Sequence, residues 1–287
     1  MTPPNRPGRD LEEVAPGVWV ATATIWTTTS TVVVDDGRAL VVDPGVTVAE
    51  VDALAAEVER RGWRVAAGFA THPHWDHVLW TRSWGTVPRW ATAVCAAEAA
   101  RRARAGHEEA DRLAPGHDHD LGTGLRPLPA GSATLPWPEG DSSTGSGSMA
   151  RPVVVEHTAH APGHAALVAR GVLLAGDMLS DTEVPLLDES AADPFGDYRA
   201  ALVLLESTVR DLSVDVLVPG HGHPARGPAQ IAARFAADRA YLDALQEAVR
   251  ATSPHGTPVV DPRLAGYVAQ WHAAQLAALR GPSAATP

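Results

Sequence analysis

The chain of 287 residues contains no lysine, one cysteine (Cys95), and only three methionines, three phenylalanines and three tyrosines. Its 23 basic residues are therefore all arginine, and they face 34 acids for a formal net charge of −11. A single cysteine excludes a disulfide framework and any thiolate-rich zinc site. The acidic balance leaves no basic stripe to displace counterions from phosphates, so no nucleic-acid partner is expected. The opening stretch from Met1 to Asp10 is polar and proline-rich, without an apolar run of signal or membrane-spanning length. A cytoplasmic protein with no membrane contact is therefore expected. At 45% hydrophobic residues the chain can bury a large core. What it does have is histidine, thirteen in all, in a sequence almost without thiols.

Short β-branched runs open the chain at Val18 to Ala23, Thr31 to Asp35 and Ala39 to Val42, divided by turn pairs such as Asp36-Gly37. Apolar residues at Val48, Val51, Leu54, Ala55 and Val58 have helical spacing, with Gly62 as the stop. A strand from Arg64 to Ala70 and a helix from Val94 to Leu113 follow. Between residues 114 and 152 the pattern dissolves into Gly, Pro, Ser and Thr, which reads as a flexible excursion without a packed core, in the role of a lid or a surface insertion. Strands at Val153 to Val155, Ala165 to Val168, Val172 to Ala175 and Val214 to Val218 alternate with helices at Phe195 to Leu212, 228–250 and 262–280. Two sheets with helices outside fit this order. The expected organisation is one domain over 13–280, with flexible ends at 1–12 and 281–287.

Chemistry concentrates in Thr71-His72-Pro73-His74-Trp75-Asp76-His77, directly after an apolar strand. Pro73 opposes a helix interior, so the run is read as an extended turn whose side chains alternate in direction. Three later residues share the strand-then-glycine context: His164 after Pro162-Gly163, Asp177 after Ala175-Gly176, and His221 after Pro219-Gly220. Ligands placed at strand ends converge on one edge of a sheet.

This ordered set resembles the metallo-β-lactamase superfamily, as does the early turn Val42-Asp43-Pro44-Gly45. The resemblance implies an α/β fold, a four-layer αβ/βα sandwich of two mixed β-sheets with helices on the outer faces. It implies two divalent metal ions, Zn²⁺ first, with Fe or Mn as alternatives. His72, His74 and His164 would hold one ion; Asp76, His77 and His221 would hold the other; Asp177 would bridge them, and Asp43 would orient ligands from behind. Asp76 would also be catalytic, orienting a metal-bridging hydroxide toward an ester, thioester or lactone carbonyl of a small-molecule substrate. An aspartate at 177, where many true β-lactamases of the superfamily carry cysteine, places the chain nearer the glyoxalase II, lactonase and thioesterase side. A single-iron oxidoreductase of the persulfide-dioxygenase kind is the alternative. His160 is read as lying behind the ligands or facing substrate, with a plain loop histidine as the other reading, and Trp75 as a substrate contact, with core packing as the other reading. His117-Asp118-His119 and His223 are read as solvated turns, and Cys95 as a small buried hydrophobe. Oligomeric state has no signal in the sequence.

Overall fold

In the computed structural model, which describes residues 10–118, 124–137, 150–251 and 258–281, seven strands join in chain order into one sheet. They are β1 (Glu12–Ala15), β2 (Val18–Thr22), β3 (Thr29–Asp35), β4 (Arg38–Val42), β5 (Arg64–Phe69), β6 (Arg89–Ala91) and β7 (Arg126–Pro127). Pairing is antiparallel from β1 to β4 and parallel from β4 to β7. Each parallel step needs a crossover, supplied by α1 (Val48–Arg60), α2 (Trp75–Val78) and α3 (Ala93–Leu113). A second sheet contains β8 (Val153–Glu156), β9 (Ala165–Ala169), β10 (Val172–Leu174), β11 (Val216–Val218) and β12 (Ala225–Arg226), in the order β12-β11-β10-β9-β8. Helix α4 (Pro194–Asp211) crosses between the parallel strands β10 and β11, and α5 (Gly227–Arg250) and α6 (Gly266–Arg280) complete the described chain.

The two-residue period of the central strands explains the four layers. Val33, Leu40 and Val42 point between the sheets, where they meet Leu167, Leu174 and Val218. The alternate residues Val32, Ala39 and Val41 face Leu54 and Val58 of α1. On the other side Ala166, Leu173 and Leu217 face Leu202 and Leu205 of α4 and Phe235 and Leu242 of α5. Both sheets are therefore apolar on both faces, and the expected αβ/βα sandwich of two mixed sheets results. Helix α1 begins at a reciprocal cap: Glu50 N donates to Thr47 Oγ1 at 3.2 Å and Thr47 N donates to Glu50 Oε2 at 3.1 Å.

Two local readings change. The run after β5 stays extended only through His74; Trp75 then begins the single turn α2, because Pro73 bars a helix only up to its own position. The segment 124–137 packs rather than looping free: β7 extends the first sheet, and Leu128, Leu135 and Trp137 are buried in the layer between the sheets. The outer parts of the expected flexible ends (1–9 and 282–287), the Ser/Gly-rich stretch at 138–149, His119 and His255 lie outside the described residues. No described helix is long and apolar enough to cross a membrane.

Leu167 is fully buried between the sheets. Leu167→Ala is expected to cost about 3 kcal/mol, since a leucine deletion there leaves a cavity that rigid strands cannot close. Urea denaturation should show a lower midpoint with an unchanged slope.

Candidate metal centre

Strands β4, β5, β10 and β11 all end at the same edge, and the chemistry sits on the residues that follow them. Backbone hydrogen bonds sew these ends together across both sheets: Ala165 N to Thr71 O (2.8 Å), Ala175 N to Val218 O (2.8 Å), Gly220 N to Gly176 O (2.6 Å) and Thr29 N to Gly220 O (2.7 Å). Gly220 is required by proximity, because a β-carbon there would collide with Asp177 Oδ1. Gly176 adopts a φ of 58°, and a side chain on it would run into His164 Nε2.

Two groups of ligand atoms assemble on this edge. His72, His74, His160 and Asp177 form one; Asp76, His77 and His221 form the other, with the atoms of each group within 4.8 Å of one another. His74 Nδ1 lies 3.0 Å from both His72 Nε2 and His160 Nε2. In the second group His77 Nε2 stands 3.2 Å from His221 Nε2 and 3.2 Å from Asp76 Oδ2. Asp177 sits between the groups, with Oδ2 3.4 Å from His72 and from His160 and 3.3 Å from His221, and Oδ1 3.2 Å from His77.

The far nitrogen of each ring shows which way its proton points. His160 Nδ1 donates to Leu186 O at 2.8 Å and His221 Nδ1 to Trp26 O at 3.1 Å, since a carbonyl can only accept. His77 Nδ1 donates to Asp43 Oδ2 at 3.0 Å. Thr71 Oγ1 spends its proton on Asp43 Oδ2 (2.7 Å) and so accepts from His72 Nδ1 (3.0 Å). Each of these four rings therefore turns Nε2 toward the centre, the arrangement in which an outer partner sets the tautomer of a metal-binding imidazole.

Donor chemistry and burial fit cations here. In the first group at most one proton, that of His74, can lie among three converging ring nitrogens, and Asp177 Oδ1 is buried without an aligned hydrogen bond. Burial, reinforced by the neighbouring histidines, holds His74 well below the usual imidazole range. Burial also lowers His160, to about 4. Around the second group burial opposes charge, yet Asp177, Asp76 and Asp43 raise His77 well above its ordinary value. Against the same opposition Asp177 and Glu183 raise His221 to about 10. Lone pairs gathered on one side and surplus negative charge on the other call for positive charge among nitrogen and oxygen donors, with no thiolate within reach.

The structure brings His72, His74, Asp76, His77, Asp177 and His221 together and puts Asp43 behind them, accepting also from Thr71 N at 2.9 Å. It exchanges the places expected for two histidines: His160 stands among the ligand atoms, while His164 packs behind His72 with a ring separation of 4.9 Å. Both ring nitrogens of His164 are buried with no hydrogen bond among the described residues. Three histidines at 157, 160 and 164 share one loop, and spacing alone carries no sign of which points inward. Trp75 is buried and lines the cleft over the centre. His117 binds Val46 O through Nε2 at 2.6 Å and exposed His223 binds Asp181, both away from the centre. Glu183 was not singled out by sequence; burial pushes it up to about 7, and it lies 3.6 Å from His221 Nδ1.

A family model described as the metallo-beta-lactamase superfamily matches residues 23–221. Solved structures with this fold include a beta-lactamase domain protein from Burkholderia ambifaria, 22% identical, with a TM-score of 0.64 over 95% of this chain and 88% of that one. Another is a metallo-beta-lactamase family protein from Thermus thermophilus, 22% identical, with a TM-score of 0.60 over 83% of each chain. No curated protein sequence matches the chain.

Asp43→Ala strips an acceptor from Thr71 N, Thr71 Oγ1 and His77 Nδ1 at once. A loss of roughly 3 kcal/mol is expected, because buried donors without acceptors keep their desolvation cost. Chemical denaturation of Asp43→Ala beside Asp43→Asn, which retains one acceptor oxygen, should show the smaller loss in the amide.

Proposed function

We propose that the chain, which belongs to the metallo-β-lactamase superfamily, is a hydrolase that holds two divalent metal ions, zinc first among them, and cleaves an ester, thioester or lactone bond. The observation that carries this reading is the double cluster around Asp177, with ring nitrogens turned inward, too few protons among the first group to satisfy them, and surplus carboxylate around the second. His72, His74 and His160 would hold one ion, Asp76, His77 and His221 the other, with Asp177 shared. Bound divalent ions would supply positive charge that lets a water lose its proton near neutral pH and that offsets charge developing on a substrate oxygen.

The chain's own groups do the rest. Asp43, Thr71 and the carbonyls of Leu186 and Trp26 lock the imidazoles, so little reorganisation is needed when substrate arrives. Asp76 lines the open cleft and would be the carboxylate that takes a hydrogen bond from the attacking water. Completeness of the second group, Asp76 with His77 and His221, favours two ions over the single iron of a dioxygenase.

Zinc-loaded protein is expected to cleave members of a panel of carboxylic esters, thioesters and lactones, and to lose that activity to a chelator and regain it with zinc. Asp76→Asn should lower kcat by about 10²- to 10⁴-fold. One iron per chain with oxygen consumption, or full turnover after chelation, would overturn the reading. His160→Ala should weaken zinc binding by about a hundredfold in chelator competition, while His164→Gln keeps it within a few-fold. The reverse order would return His164 to the ligand set.

A further inference from the structure

A cleft of about 590 Å³ opens over both ligand groups, with His74, Asp76, His160, Asp177 and His221 on its floor. One wall is aromatic and comes from three distant parts of the chain: Trp26 between β2 and β3, Trp75 at the start of α2, and Trp271 on α6. The Trp26 ring centroid lies 5.8 Å from that of Trp75, 5.2 Å from Trp271 and 6.4 Å from the His221 ring, with neighbours meeting edge to face. Helix α3 also lines the cleft, with the small residues Ala99 and Ala103 beside Arg102 and Glu109, and its Gly106 lies close against Trp75. Ala99 and Ala103 take up little of the space above the centre.

The wall is held in place. Trp26 and Thr27 both sit in the left-handed region, at φ 55° and 51°, a conformation that bulky side chains adopt only when their surroundings impose it. Ala23 N to Thr28 O (2.7 Å) closes the turn, and the Trp26 carbonyl is the group that receives His221 Nδ1. The same strained turn thus displays an indole and aims a ring of the centre. On α6, buried Gln275 accepts from Leu187 N at 2.7 Å and donates to Pro185 O at 3.0 Å, which fixes the helix that carries Trp271.

Charge at the mouth is negative. Arg101 is paired with Glu98 at 2.5 Å, which leaves Glu109, Asp188 and Glu189 against Arg102. An anionic tail would meet like charge there.

We propose that the cleft selects substrates whose non-reacting part is apolar, ring-sized and free of negative charge, with Trp26, Trp75 and Trp271 as its recognition wall. The proposal rests on the hydrolase reading for its reacting bond, but the wall itself has a separate test. Zinc-loaded enzyme is assayed on methyl acetate, methyl 3-phenylpropanoate, and the same phenyl ester carrying a carboxylate on the far ring carbon. Binding of the neutral alcohol 3-phenyl-1-propanol is followed in parallel by ligand-observed NMR.

The phenyl ester should exceed methyl acetate in kcat/KM by at least about tenfold, the scale on which an apolar pocket discriminates. The far carboxylate should cancel most of that gain. In Trp271→Ala the phenyl-to-acetate ratio should fall to within about threefold, chiefly through KM, and alcohol binding should weaken about tenfold. Esters cleaved without ring preference, or a ratio and alcohol affinity unmoved in Trp271→Ala, would overturn the proposal and leave the hydrolase reading standing. Tight alcohol binding that Trp271→Ala removes, with no ester, thioester or lactone of the wider panel cleaved, would support the wall and remove the hydrolase.

Discussion

The carboxylate of Asp177 is the point on which the two halves of the molecule close. It follows β10 in the second sheet, yet it lies within 3.4 Å of His72 and His77, which follow β5 in the first. A carboxylate in this setting keeps its charge only because burial is outweighed by the charged imidazoles beside it, with His221 and His77 holding it well below the ordinary range. Glycines at 176 and 220 are the means of approach, since side chains there would fill the space that Asp177 and His164 occupy. Cations bound at this centre would replace protons on His77 and His221 as counter-charge, which would link metal binding to proton release.

The edge that builds the centre is also where backbone strain gathers. Asp43, Trp26, Thr27 and Leu179 all adopt positive φ without being glycine, and each touches the centre directly or lies within two residues of a residue that does. Each is restrained by a specific bond. Leu179 N donates to Asp238 Oδ2 at 3.0 Å, and Asp238 is itself paired with Arg263 at 2.6 Å inside the second-sheet core. Arg263 also reaches Ser180 O at 3.1 Å, and Ser180 Oγ donates to His221 O at 2.7 Å. Burying that ion pair has a desolvation cost, and its return is a loop beyond Asp177 that cannot relax. Rigid sheets thus supply the energy that holds a strained, preorganised edge.

Much of this was legible in the sequence because it is local. Helix α1 announces itself through its apolar spacing and the stop at Gly62, and the central strands through paired runs of valine and leucine. The His72-to-His77 run needs no partner to be recognised. What escaped depends on tertiary contact. Strands such as β6, β7 and β12, two or three residues long, have no period to read. His160 and His164 differ only in where the turn before Gly163 points each ring, and the deciding contact is the carbonyl of Leu186. Trp26 and Trp271 are joined by a fold, not by spacing, so the aromatic wall had no signal in either neighbourhood.

The proposed chemistry requires that this edge hold two ions and that His160, rather than His164, face one of them. Anomalous diffraction from crystals of the zinc-loaded protein, collected on both sides of the zinc absorption edge, tests it most directly. Two peaks are expected, one among His72, His74, His160 and Asp177 and one among Asp76, His77, His221 and Asp177. A single peak, or a first peak bound by His164 with His160 turned away, would contradict it.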